Sequence, residues 1–105
     1  MIYLASPYSH PDPLVRQVRF EKIVSYAIFC MEKGEVVFSP IAYGHQFISR
    51  IGTCHETWLH FNETVLLTCE EIRIVKLPGW ESSLGIKTEI AYAERHMLQL
   101  TEVTP

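Results

Sequence analysis

The stretch "SSLGIKTEIAYAERHM", residues 82–97, sets Glu89 in a helical pattern between Gly85 and Ala93. Positions four apart share one helix face. A long carboxylate between two very small residues leaves space for a bound group. Two roles stand open. Glu89 can be a solvated side chain paired with Lys87 or Arg95. Alternatively it borders the buried stripe of Ile86, Ile90 and Met97, where a carboxylate can attack an anomeric carbon or stabilise an oxocarbenium-like transition state. Ser82 or Ser83 can cap this helix through its hydroxyl. A helix start with free amides and hydroxyl donors is also an anion site, and Gly85 lets a phosphate come close to the backbone. A glutamate beside such a site suits chemistry on a phosphorylated sugar, with the hydroxyl of Tyr3 placed to orient it.

The remaining candidates lie in three polar, aromatic segments. "SPYSHPDP" offers Ser6, Tyr8, Ser9 and His10; "SPIAYGHQF" offers Ser39, Tyr43 and His45; "PGWESSLG" offers Trp80 with the two serines. His10 and His45 are candidates for phosphate or base contacts, with exposed loop histidines as the alternative. Trp80 or Tyr43 can flank a base, while a turn tryptophan also serves as a packing cap. His55 and His60 are five apart, and Cys54 adjoins His55, but zinc-type spacing is missing and no metal is expected. Neither GxGxxG nor GxxxxGK[ST] occurs, so no dinucleotide or P-loop cofactor is expected.

The elements that must carry these residues read as alternating strands and helices. "MIYLA" is a short apolar strand. Three prolines make residues 6–13 a loop, and Asp12-Pro13 reads as an N-cap with proline at the first helical position. Val18, Ile23, Val24, Ala27, Ile28 and Met31 recur at helical spacing up to Gly34, which stops the helix. "EVVFSP" (35–40) is a second strand, and "IAYGHQFISRIG" reads as a long loop with at most a helical turn. Thr53 and Glu56 form a capping-box pattern ahead of a helix from His55 to about Thr68, with Trp58, Phe61, Val65 and Leu66 inward. "EIRIVKL" (71–77) is a third strand, residues 84–96 a third long helix, and "MLQLTEV" (97–103) a last strand. This order predicts an α/β three-layer fold, with a mainly parallel sheet of about four strands and right-handed crossovers. The three polar segments then meet at the carboxyl ends of the strands, where such sheets bind ligands.

Composition sets the frame. A chain of 105 residues, 48% hydrophobic and 20% charged, is expected to form one soluble domain over residues 1–105. The net charge of −3 argues against a nucleic-acid polymer as partner. Cys30, Cys54 and Cys69 are odd in number, which fits reduced thiols and a cytoplasmic location. Neither a signal-peptide pattern nor an apolar run of membrane-spanning length is seen, so no membrane partner is expected.

Three segments, "IYLASPY", "SPI" and "GWESSLGIKTEIAYA", resemble the nucleoside 2-deoxyribosyltransferase superfamily, and within it most closely the small DUF1937 and DUF4406 types. Their order matches, and the resemblance spans nearly the whole chain. It implies a Rossmann-like (flavodoxin-like) fold and hydrolysis or transfer at an N-glycosidic bond. The family's nucleophilic glutamate falls on Glu89, and the tyrosine that hydrogen-bonds it falls on Tyr3. Six residues before the glutamate, transferases acting on free nucleosides commonly have aspartate. Here Ser83 is more similar to the branch that hydrolyses nucleoside 5′-monophosphates, in which this serine contacts the phosphate. By the same resemblance, Ser6 or Ser9 helps hold the phosphate, and the chain forms a homo-oligomer, a dimer or tetramer. Two features differ from the family: "CEEI" offers Glu70 or Glu71 where aspartate is common, and the loop after the first strand has Ser6, Ser9 and His10 with Arg16 and Arg19 further along, rather than an arginine in the matching place. The expected ligand is a small nucleotide or nucleoside. The alternative is a nucleotide-binding module of the same fold without catalysis.

Overall fold

The computed structural model describes residues 1–52 and 55–105. Four parallel strands form one sheet: β1 (Ile2–Ala5), β2 (Val37–Phe38), β3 (Glu71–Val75) and β4 (Gln99–Val103), in the order β2-β1-β3-β4. This is the order of the first four strands of a five-stranded flavodoxin-like sheet. The register runs Ile2↔Val37 on one side of β1 and Ile2↔Glu71 on the other.

Because side chains alternate across a strand, β1 and β3 feed two separate cores. Tyr3, Ala5, Ile72 and Ile74 face one way, into a cluster with Leu66, Ile86 and Ala93. Leu4 and Val75 face the other way, against Ile23, with Tyr26 and Ala27 packed alongside. The first cluster is roofed by α4 (His55–Leu66) and α5 (Leu84–Arg95), the second by α1 (Pro13–Glu32). The result is the expected α/β/α sandwich. Each fully buried Leu or Ile in these layers contributes about 1.5–3 kcal/mol.

Local signals act as read at both ends of α1. The Asp12 carboxylate accepts from the Leu14 amide at 2.9 Å ahead of Pro13. Gly34, at φ +85°, ends the helix with amides of Gly34 and Glu35 returning to the carbonyls of Met31 and Cys30. The buried face of α1 differs from the expected stripe. Ile23 and Cys30 are buried, whereas Val18, Ile28 and Met31 are exposed. Met97 likewise is not part of the α5 stripe: it is 91% exposed, at φ +55°, in the turn that leads to β4.

Two expectations are corrected around residue 40. The second strand is only Val37–Phe38, because it pairs with β1 alone, for two residues. The segment expected to be a loop is mostly helical: α2 (Pro40–Gly44), a 3-10 turn (His45–Phe47) and α3 (Ile48–Ile51), closed by Gly52 at φ +76°. Ser39 caps α2 by accepting from the Ala42 amide at 3.0 Å, and Pro40 stands at its first position. Gly44 is required by packing, since a Cβ there would lie 2.9 Å from the Trp58 ring. The expected capping box of Thr53 and Glu56 depends on Thr53, which, like Cys54, lies outside the described residues.

Arg73, in the middle of β3, ties the α1 layer to the sheet. Its guanidinium donates to both carboxylate oxygens of Glu35 (3.2 and 2.9 Å), to Glu71 (3.0 Å) and to the Tyr26 hydroxyl (3.3 Å). This pairing pulls the Glu35 carboxyl down to about 2.

Candidate functional site

A cavity of about 520 Å³ opens at the carboxyl ends of β1 and β3. The chain leaves β1 toward β2 on one side, while β3 lies on the other, so this is the topological switch point of the sheet. The loop after β1 supplies Ser6, Tyr8, Ser9 and His10 to its wall; the segment after β3 supplies Gly79, Ser82 and Ser83; and α5 supplies Gly85 and Glu89.

Glu89 is only 8% exposed, and the Tyr3 hydroxyl, fully buried behind it, donates to its Oε2. Burial pushes the Glu89 carboxyl up to about 7, and the Tyr3 hydrogen bond pulls in the opposite direction. The Tyr3 phenol is itself raised well above its usual value, chiefly by burial and then by the adjacent carboxylate, so it remains a donor. Neither Lys87 nor Arg95 pairs with Glu89. A buried carboxylate held by one donor, on the wall of an open cavity, is poised near neutrality to act as a nucleophile or base.

The beginning of α5 is organised around Ser83. Its hydroxyl accepts from the Ile86 amide at 3.3 Å, which makes it the cap, while the Ser82 hydroxyl donates to the Gly79 carbonyl. Arg19 reaches the same mouth from α1, where it donates to the carbonyls of Tyr8 and Ser9 at 3.3 and 3.0 Å. Its guanidinium lies over Gly79, where a Cβ would come within 2.5 Å, and Gly79 adopts φ +92°. A helix start and a guanidinium at one mouth are the kind of donors that bind anions. His45 holds the same loop after β1: Nδ1 shares a proton with the Tyr8 hydroxyl at 2.6 Å, Nε2 meets Gln17 Oε1 at 3.0 Å, and Phe20 stacks on the ring at 4.1 Å.

Of the residues expected at the site, Ser6, Tyr8, Ser9, His10, His45, Ser82, Ser83, Gly85 and Glu89 line the cavity. Tyr3 stands behind Glu89. Ser39, Tyr43 and Trp80 lie outside the wall. Ser39 caps α2, Tyr43 stacks on Phe61 at 5.3 Å, and Trp80 packs on the core with the Lys76 ammonium 5.2 Å from its ring. The aromatic rings that do line the cavity are those of Tyr8 and Trp58. Ala93, matched with Gly85 in the sequence, is in the core, so only Gly85 leaves room at the site.

Sequence reasoning missed the α4 wall, formed by Leu59, Asn62, Glu63 and Leu66. Their spacing is i, i+3, i+4, i+7, and two polar residues within an apolar helical stripe are the signal that identifies such a wall. It also gave no role at the mouth to Arg19, whose cavity position depends on the missing Cβ of Gly79. Among the described residues, no three His, Cys, Asp or Glu side chains are grouped to hold a metal ion, and no helix is long and apolar enough to cross a membrane.

Gly85 offers a clean test of the cavity. A Cβ there would have only Ser83 Oγ within 4 Å, at 3.8 Å. Gly85→Ala is therefore expected to fold with unchanged or slightly raised stability, by up to about 1 kcal/mol, and to bind anionic ligands about tenfold more weakly. Urea titration and phosphate-ligand binding measure the two effects separately; an unchanged affinity would place the ligand elsewhere.

No curated protein matches the chain. A family match covers residues 1–104, and the chain belongs to the family defined by the domain of unknown function DUF1937.

Proposed function

We propose that the protein cleaves or transfers at the N-glycosidic bond of a nucleoside 5′-monophosphate, with Glu89 as the nucleophile. The observation that carries this reading is the buried Tyr3–Glu89 pair on the wall of a cavity with Arg19 and the start of α5 at its mouth. The resemblance to nucleoside 2-deoxyribosyltransferases supports it. Glu89 attacks C1′; the C1′–N bond breaks, and its electron pair leaves with the base, which takes a proton from water. Water, or a second base, then attacks C1′ of the glycosyl ester. The ester C–O bond breaks and Glu89 is restored. Ser83, the amides around Gly85 and Arg19 hold the 5′-phosphate, with Ser6, Ser9 and His10 nearby. The apolar stretch of α1 that includes Val18, Ile28 and Met31 is exposed, which supports assembly into a homo-oligomer.

Incubation with dAMP, dCMP, dGMP, dTMP and CMP, followed by chromatography, tests the reading through release of free base. If nucleotides raise the melting temperature but no base appears, the protein is a nucleotide-binding module; if neither occurs, the proposal fails. Tyr3→Phe is expected to lower the rate at pH 7 by about 10- to 100-fold, the worth of one hydrogen bond to a charged group. Its acidic limb should move to higher pH, because Tyr3 is what holds the Glu89 carboxyl down. A pH–rate profile identical to that of the unsubstituted protein would remove Tyr3 from the mechanism.

A further inference from the structure

We infer that Asn62 and Glu63 of α4 read the edge of the base and select one that carries an exocyclic amino group, as in adenine, cytosine or guanine, over thymine or uracil. The inference rests on the nucleotide reading above and concerns the part of the cavity that reading leaves without a role. The sugar belongs beside Glu89 and the phosphate at the start of α5, so the base is directed to the remaining walls, of which α4 is one.

The polar groups there are unpaired. Asn62 Oδ1 is fully enclosed with no hydrogen-bond partner, and so is the hydroxyl oxygen of Ser6, a residue 5% exposed on the same cavity. Buried polar atoms are rarely left without a partner; neither oxygen opens onto the cavity as it stands, but both belong to residues that line it, so a turn of the side chain about its own bonds brings each oxygen to a bound ligand. Glu63 is half-buried on this wall, and its carboxylate has neither hydrogen bond nor ion pair among the described residues. Leu59 and Leu66 flank the pair along α4, so the two polar side chains are the directional elements of an otherwise apolar wall.

Their chemistry fixes the preference. Asn62 Oδ1 and both oxygens of Glu63 accept hydrogen bonds. An exocyclic amino group supplies two N–H donors, and guanine adds a ring N–H. Thymine and uracil offer one ring N–H between two carbonyl oxygens, whose lone pairs would face the carboxylate. The amide N–H groups of Asn62 remain available for a ring nitrogen or carbonyl next to the amino group. The Glu63 carboxylate, which only accepts, therefore repels one class of base as well as attracting the other.

The test is a set of dissociation constants for dAMP, dCMP, dGMP, dTMP and dUMP, measured on the full chain carrying E89Q so that no ligand is consumed. At least one amino-bearing nucleotide is expected to bind at least about tenfold more tightly than dTMP and dUMP. Adding E63Q replaces an acceptor by an amide that can donate to a base carbonyl, and should raise the affinity for dTMP while lowering that for the amino-bearing nucleotide. Adding N62L should weaken the amino-bearing nucleotide alone. Affinities equal within about threefold, or a ratio unmoved by E63Q, overturn this inference and leave the nucleotide reading intact. Failure of every nucleotide to bind overturns both.

Discussion

Glu89→Gln is expected to cut turnover by roughly 10⁴-fold or more, the scale of losing a nucleophile, and yet to stabilise the fold at pH 8. The sign follows from burial. In the folded protein the Glu89 carboxyl is raised from its ordinary 4.5 to about 7. Between those values the folded chain holds a proton that the unfolded chain has released, so stability falls as pH rises through this window. Below 4.5 the penalty is absent; above about 7 it is complete. The gap corresponds to on the order of 3 kcal/mol. Glutamine keeps the volume and still accepts from Tyr3, without a charge to desolvate. Urea unfolding at pH 5 and pH 8 should show the parent losing stability between the two and E89Q losing little. The catalytic limb runs the other way, since the nucleophile must be ionised. A variant no more stable than its parent at pH 8 would contradict the burial of charge at Glu89.

Arg73→Met is expected to destabilise the protein by about 2–3 kcal/mol without altering the cavity. The Arg73 side chain is 12% exposed, and methionine retains most of its apolar stem. What is lost is the cation shared by Glu35 and Glu71, together with the donor to Tyr26; removing one member of a partly buried charge network leaves the others uncompensated. In a chain of this size the melting temperature should fall by roughly 10 °C or more. The acid response separates this network from Glu89. Glu35 is held near 2, so its contribution is present above 4.5 and lost as pH falls toward 2. The parent should lose stability steeply in that range, and R73M should do so less. An R73M protein that melts with its parent would reduce the network to a surface arrangement.

The legible parts of the molecule are those set by local chemistry. Asp12-Pro13 and Gly34 bound α1 as read, and the period-2 pattern of "EIRIV" marks β3, with Ile72 and Ile74 on one face and Val75 on the other. Ser39-Pro40 carries the same start signal as Asp12-Pro13, but the Gly, Tyr and His that follow mask it, and α2 is held by packing of Gly44 on Trp58. The register of Glu89 relative to Gly85 was visible; that Tyr43 and Trp80 turn away from the cavity was not, because an aromatic side chain's direction depends on neighbours distant in sequence. Phe61 captures Tyr43, and the core captures Trp80. The α4 wall and Arg19 were hidden for the same reason, since each becomes part of the site only when two layers of the sandwich meet.

Tyr3 and Glu89 are 86 residues apart in the chain, and this separation has a consequence for biosynthesis. At about 5–20 residues per second, the ribosome adds Glu89 on the order of ten seconds after Tyr3. Until then the apolar "IYLA" segment, destined for the interior of the sheet, has neither β3 nor α5 to cover it. The rate of synthesis, rather than loop closure, sets the interval during which this segment stays uncovered. The Tyr3–Glu89 pair forms only when the first strand and the last helix join.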